Sequence, residues 1–356
     1  MDGNGSDSEF EYVGNLHIHS RYSDGAGSVA EIARSAKRSG LDFIIMNDHA
    51  HMTDALHLED EGVYDGVRVL VGLEIGRRYH HYLAFGLSEL VTGDGLTPQE
   101  VIDQVNRKGG SGFLAHPFEK GMPFREKSIA YTWNDLFVTG YTGICIWNFS
   151  SRWKERVKGP LHGLFFLLFK AWTLKGPSRK TLWFWDQQGQ QRRMVGVGGS
   201  DAHGAVFSWR GIRFVPLTYD YALNSITVHL LLKTPLSEEF AKAKAQILEA
   251  LREGHLFIAH EHLKPGVGFR FYFEDDTGSR LAMGEEGPFR PGFLTIKAPA
   301  RGIVRLIRDG VLLKVWTGTS GVFRVDRKGV YRVEIYRRVP VFGSRPWIFS
   351  NPVYLR

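Results

Sequence analysis

Six stretches of this 356-residue sequence finish in histidine or a carboxylate at or near the end of an apolar run. They are His17 and His19 with Asp24 in HIHSRYSDG, Asn47-Asp48-His49 after LDFIIM, and Glu74 closing VRVLVGLE. His81 in HHYLAFG, His116 in FLAHP, and Asp201 with His203 in GSDAHG complete the set. Residues i and i+2 of a strand share a face, so His17 and His19 can reach one ion. Asp24 sits in a Ser-Asp-Gly turn, a natural place for a carboxylate to fold back over the strand end. Glu74, after so apolar a run, is costly to bury unless a metal or cation meets it. Each residue alone has a plainer reading, as an ordinary strand histidine or a rim salt bridge. Six such strand ends together point to a metal centre.

Six imidazoles and three carboxylates with no thiolate suit Zn²⁺, Mn²⁺ or Fe²⁺. Closely spaced divalent ions would lower the pKa of a shared water and stabilise the oxygens of an in-line displacement. Nine ligands on six strand ends set the expectation at two to three ions per chain. No Ser-His-Asp or Cys-His arrangement competes. Cys145, the single cysteine, lies in GICIWN and reads as a buried structural thiol that forms no internal disulfide.

A centre assembled from separate strand ends needs a scaffold that gathers them. Strands are expected at 13–18, 41–46, 67–74, 81–86, 112–115, 143–147, 194–199 and 212–215. Helices are expected at 28–39, 97–108 and 236–252, the first opened by Ser28 with Glu31 three residues on. This alternation argues for a parallel sheet, open or closed into a barrel. From about residue 265 the pattern becomes short strands between Gly, Asp and Lys turns, as for a β-sandwich. The expected division is 1–11 as a disordered or tag-like tail, 12–262 as the α/β domain and 263–356 as the sandwich. The glycines of VGVGGSDAHG match no nucleotide-binding spacing.

Composition is that of a globular chain, 43% hydrophobic and 23% charged, which excludes disordered, collagen-like and disulfide-scaffold classes. The net charge of +7 suits an anionic small-molecule substrate, or loose attraction to nucleic acid or membrane. Nucleic acid is the less favoured partner, because no block of like charges or basic-aromatic interleaving appears. The start, MDGNGSDSEF, lacks the apolar core of a secretory signal. The most apolar stretch, 164–169, is far short of the roughly 20 residues of a membrane span. A cytoplasmic protein without a membrane partner is expected.

The order HxHSxxSDG, NDH, GLE, HxxxxG, AHP and GSDAH resembles the PHP family, named for its polymerase and histidinol phosphatase members, over about residues 12–262. The β-rich tail ending RPWIFSNPVYLR resembles a bacterial branch with a C-terminal β-sandwich that includes carbamate hydrolases. The resemblance implies a distorted seven-stranded (β/α) barrel, TIM-like, with a trinuclear metal site. One ion would take His17, His19, Glu74 and Asp201, a second Glu74, His81 and His116, and a third Asp24, His49 and His203. Glu74 would bridge the first two. A metal-bound hydroxide held by Glu74, Asp201, His17 and His19 would be the catalyst. Two positions depart from the usual pattern: Asn47 replaces a threonine and Asn15 an aspartate. Asn47 and Asp48 would support the ligands from behind.

The implied activity is a metal-dependent hydrolase, foremost a phosphoesterase acting on a small phosphorylated compound or nucleotide. Carbamate or carboxyl-ester hydrolysis, exonuclease action and a metal-stabilised non-catalytic binding module are the alternatives. Arg21, Arg77 and Arg152 are candidate substrate clamps, with Arg78 and Lys154 beside them. His51, His57 and His80 read as lining or surface residues, and Trp183-Phe184-Trp185 as core or pocket wall.

Overall fold

The computed structural model describes residues 9–123, 131–209 and 211–356. Most of the expected tail, residues 1–8, lies outside them. The chain opens with β1 (Phe10–Ile18), α1 (Val29–Arg38), β2 (Phe43–His49), β3 (Gly62–Tyr64), β4 (Val67–Ile75) and β5 (Tyr82–Phe85). It continues through α2 (Pro98–Arg107), β6 (Ser111–Leu114), β7 (Gly143–Asn148), α3 (Phe149–Lys154), α4 (Pro160–Leu168), α5 (Lys170–Thr173) and α6 (Arg179–Gln191). Then come β8 (Val195–Gly199), a β9–β10 hairpin (Phe207–Trp209, Ile212–Phe214), α7 (Tyr219–Leu223), β11 (Ile226–Leu232), α8 (Phe240–Glu253) and β12 (Leu256–His260). Strands alone follow: β13 (Arg270–Asp275), β14 (Arg280–Ala282), β15 (Glu286–Gly287), β16 (Gly292–Arg308), β17 (Val311–Val325), β18 (Gly329–Val339), β19 (Gly343–Ser350) and β20 (Val353–Leu355).

Local sequence accounts for the starts and stops. Ser28 caps α1 and Glu31 returns the bond to the Ser28 backbone, and Thr97 and Glu100 do the same for α2. Gly254 ends α8 in the left-handed conformation, where only glycine has no steric cost. Asp309 and Gly310, both with positive φ, make the tight turn between β16 and β17. Where short strands between turns were expected, β16 runs for 17 residues, bending at a register shift between Lys297 and Gly302.

The expected closed seven-stranded barrel is corrected by the strand pairing. β1, β2 and β4 are parallel neighbours, β5 pairs antiparallel with β4 and with β6, and β6, β7 and β8 are parallel again. Closure would need a ladder between β8 and β1. A strand has two hydrogen-bonding edges, and those of β1 are taken by β2 and β11. β11 covers β1 only over residues 10–14; beyond them Ser200 and Ala202, just past β8, bond to the backbone of Leu16, His17 and His19, a contact too short to form a ladder. The sheet is open and mixed, and its antiparallel side continues from β11 through β12 to β19.

Two buried apolar clusters result. The larger lies between the sheet and helices α1, α2, α6 and α8; the smaller, with Phe269, Phe271, Val333, Ile335 and Trp347, fills the β-rich C-terminal part. The side-chain amide of Asn351 ties them together, bonding to Gly196 and Leu256. Arg332 of β18 does likewise through Asp186 of α6. No helix of the described residues is long and apolar enough to cross a membrane.

Candidate metal centre

All nine sequence-selected ligands converge, and Glu74 stands at the middle. Its Oε1 lies 2.8 Å from His81 Nδ1, 3.1 Å from His17 Nε2 and 3.2 Å from His116 Nε2. Its Oε2 lies 3.2 Å from His49 Nδ1 and 3.4 Å from His19 Nε2. One buried carboxylate thus faces five imidazoles. Asp201 Oδ1 is 3.4 Å from both His17 Nε2 and His19 Nε2. Asp24, the most exposed of the nine, lies 3.3 Å from His203 Nε2 and 3.6 Å from His19 Nδ1.

Backbone geometry explains how a strand end can aim so many groups inward. β1 carries a register shift between Asn15 and Ile18, and His17 inside it has φ 65°. Such a bulge re-aims side chains that strict alternation would separate. His116 (φ 27°) and Asp201 (φ 52°) are also left-handed, a conformation that costs non-glycine residues of order 1–3 kcal/mol and gathers at functional sites. Glycines permit the close approaches: a Cβ on Gly199 would stand 2.3 Å from the Leu16 carbonyl, and one on Gly25 2.1 Å from the His19 carbonyl. The glycine run of β8 therefore serves packing against β1, Trp185 and Ile258.

Partners behind the ligands settle which nitrogen is available. His116 Nδ1 faces the Tyr131 carbonyl at 3.0 Å, leaving Nε2 toward Glu74. His81 is reversed, with Nε2 on the Arg77 carbonyl and Nδ1 on Glu74. His203 Nδ1 faces the Asp201 carbonyl at 2.9 Å. Asn47, expected as a support, accepts from the His17 backbone N–H and donates to the Leu73 carbonyl. Asp48 accepts from the Ser20 backbone and hydroxyl and from Ser23, pinning the loop that presents Asp24. Asn15 holds Ser200 and two carbonyls before and within β11.

Electrostatics favour cations at this point. Burial works against ionisation of Glu74 and Asp201, yet the surrounding histidines hold both carboxyls well below the usual range. Burial, then the neighbouring imidazoles, pushes His19 down to about 3. For His116 and His203 burial is outweighed by nearby carboxylates, and both are raised to about 9. The donor set fits a divalent metal on a further ground. His17 Nε2, His19 Nε2 and His49 Nδ1 are buried without a hydrogen-bond partner, although buried ring nitrogens are normally satisfied.

Two contributors were missed in the sequence. Glu119, three residues after His116 in AHPFEK, is buried and contacts His116, Lys154 and Ser151. Asn148 ends β7 with its amide 3.3 Å from Asp201 Oδ2. The spacing H-x-x-E was a readable signal; a lone asparagine was not. Each of the three candidate clamps has a carboxylate partner outside the nine ligands. Arg21 pairs with Glu31, Arg77 with Asp94, and Arg152 with Glu155. His51 packs its ring near His49, while His57 stacks on Tyr22 and His80 bonds to backbone at 134–135. Trp185 is core and Trp183 is exposed.

Comparison with known proteins agrees with the motifs. Residues 15–124 match the family model described as PHP domain. Over 91 residues the chain is 33% identical to the DNA polymerase III subunit alpha of Treponema pallidum, covering 21% of this chain and 8% of that one. Over 114 residues it is 26% identical to an uncharacterized protein of Methanocaldococcus jannaschii, covering 29% and 66% respectively. The chain thus spans less than two thirds of either relative. A solved two-domain protein from Bacteroides vulgatus, described as containing a predicted PHP-like metal-dependent phosphoesterase, aligns with 96% of this chain and 95% of its own. That alignment has a TM-score of 0.46 and 16% identity. The comparisons do not reach the carbamate-hydrolysing branch. Seven of the nine clustered residues fall inside the segment, residues 15–124, that matches the PHP domain model.

Proposed function

We propose that this chain is a metal-dependent hydrolase of phosphate esters, acting on a small phosphorylated compound or nucleotide. The observation that carries the reading is Glu74, buried among five imidazoles within 3.4 Å. His17, His19, Glu74 and Asp201 would hold one ion, Glu74, His81 and His116 a second, and Asp24, His49 and His203 a third. Bound divalent ions would supply Lewis acidity and a water acidic enough to attack near neutral pH.

The protein's own residues prepare that site. The carbonyls of Tyr131 and Asp201 keep a proton on Nδ1 of His116 and His203, and the Arg77 carbonyl keeps one on Nε2 of His81. Each ring is thereby fixed in the tautomer that turns a lone pair inward. Glu74 and Asp201 remain ionised and offset the charge of the ions. Asp24, partly exposed, marks the open side by which substrate enters.

The test is a panel assay on protein loaded separately with Zn²⁺, Mn²⁺ or Fe²⁺, using p-nitrophenyl phosphate, a phosphate bis-ester, a carbamate and a short oligonucleotide. Turnover of a phosphate ester with two to three ions retained is expected. Carbamate turnover alone, or fewer than one ion per chain after loading, would overturn the reading.

A further inference from the structure

Residues 149–185, which make up α3 to most of α6, contain eight Lys and Arg residues and one acidic residue, Glu155. Their excess of seven adds to an excess of nine in residues 263–356, while residues 1–148 carry an acidic excess of nine. The segment 149–185 also exposes a run of large apolar side chains. Leu161, Leu164 and Leu168 of α4 are 84%, 55% and 69% exposed, and Phe165 and Trp172 are exposed beside them. These positions follow i, i+3, i+4, i+7 and i+11, so one continuous stripe of α4 and α5 faces outward. Phe166, on the other side, is buried beneath it. A helix apolar on both sides needs a cover on its outer face.

A second element extends the stripe. The β18–β19 hairpin tip brings Phe342 to 5.5 Å from the Phe169 ring and 5.7 Å from Trp172, ring centre to centre. Val341 beside it is fully exposed and has φ 66°, an unusual place for a β-branched residue. Cations rim the patch: Lys158 and Lys175 are exposed, and Arg152, Arg156 and Arg345 line the adjoining groove of about 1000 Å³. The rim is crowded, since Arg156 and then burial hold Lys175 below its ordinary value.

We infer that the outward face of α4 and α5, with the tip at Val341–Phe342, docks on the surface of an anionic phospholipid bilayer. Bases could stack on Trp172 but would leave Leu161, Leu164 and Leu168 without an apolar partner, whereas acyl chains take leucine and phenylalanine and the interface takes tryptophan. Lipid phosphates complement the rim cations. A second copy would set one strongly positive segment against another, because a two-fold interface repeats the same patch. The expectation of no membrane partner rested on the lack of a spanning helix; a surface-lying helix needs no such length.

The test is co-sedimentation of the full-length protein with vesicles of phosphatidylglycerol and phosphatidylcholine in equal parts, and with phosphatidylcholine alone. Binding to the mixed vesicles only, falling as salt is raised, is expected. Leu164→Ser with Leu168→Ser should weaken it at least about tenfold, since two exposed side chains lose their burial in lipid. Lys158→Gln with Lys175→Gln should weaken it by about fivefold per charge. All four positions are exposed, and unchanged thermal unfolding will verify that the variants fold. No binding to mixed vesicles, or binding indifferent to the leucines, overturns the proposal. So does a vesicle-free dimer that the leucine changes dissociate. None of these outcomes depends on hydrolytic activity or bound metal.

Discussion

The buried carboxylate of Glu119 lies 3.2 Å from Nδ1 of His116, on the side of the ring away from Glu74. It also contacts Lys154 of α3 at 2.5 Å and the Ser151 hydroxyl at 2.6 Å. A carboxylate behind a ligand imidazole fixes its orientation and raises its basicity. Glu119→Gln is therefore expected to lower metal affinity about 10- to 100-fold, read by competition with a chromogenic chelator. Wild-type affinity in that variant would reduce Glu119 to a partner of Lys154.

Glu74 and Asp201 should be the most sensitive positions for turnover. Glu74→Gln and Asp201→Asn remove negative charge from a buried centre at little change in shape. Each is expected to lower the hydrolytic rate by about 10²-fold or more, about 3 kcal/mol in barrier. His51→Ala, next to the cluster but outside it, should be much milder. Near-normal rates with full metal content in either carboxylate variant would contradict the proposed chemistry.

Metal removal should destabilise the fold as well as silence it. Three ligand residues, His17, His116 and Asp201, sit in strained left-handed backbone. An ion present at 100 times its Kd would contribute about 2.7 kcal/mol. Thermal unfolding with and without a chelator measures the difference. An unchanged melting temperature after verified metal loss would mean that the ions were not held at this cluster with preference for the folded state.

His229, far along the sequence from this centre, provides a pH-dependent contribution. It is fully buried on β11, with Glu11 Oε1 2.8 Å from Nδ1 and Glu261 Oε1 2.9 Å from Nε2. Burial alone would lower its pKa, but the two carboxylates outweigh burial and raise it. The folded value thus exceeds the unfolded value of about 6.5, so the stabilisation is fully present below that pH and fades as pH rises through the folded value. His229→Gln should cost about 3 kcal/mol near pH 6 and less at alkaline pH, as followed by urea unfolding. Equal losses at both ends would show that His229 is not charged when folded.

The ligands were legible because each follows an apolar run, and helix starts were legible from Ser28 and Thr97 with their partners three residues on. Sheet closure was not. The pattern of 226–232 and 256–260, ITVHLLL and LFIAH, gives no sign that one of these strands takes the free edge of β1. Of the candidate clamps, Arg21 and Arg77 pair with Glu31 and Asp94, carboxylates that sequence distance did not reveal, while Arg152 takes Glu155 only three residues on. Glu119 was passed over although it stands three residues after His116, whereas a lone asparagine such as Asn148 carries no spacing to mark it.

The basic segment 149–185 adds to the excess of nine positive charges in residues 263–356, against an acidic excess of nine in residues 1–148, and the molecule is electrically lopsided. A lopsided body in the field of a negatively charged surface experiences a torque before it touches anything. It therefore arrives turned, with its basic part leading, and fewer collisions are wasted on the acidic part. The bias acts on the speed of encounter more than on the lifetime of contact. It fades once the ionic strength brings the Debye length to about 10 Å or less, shorter than the span of the segment itself.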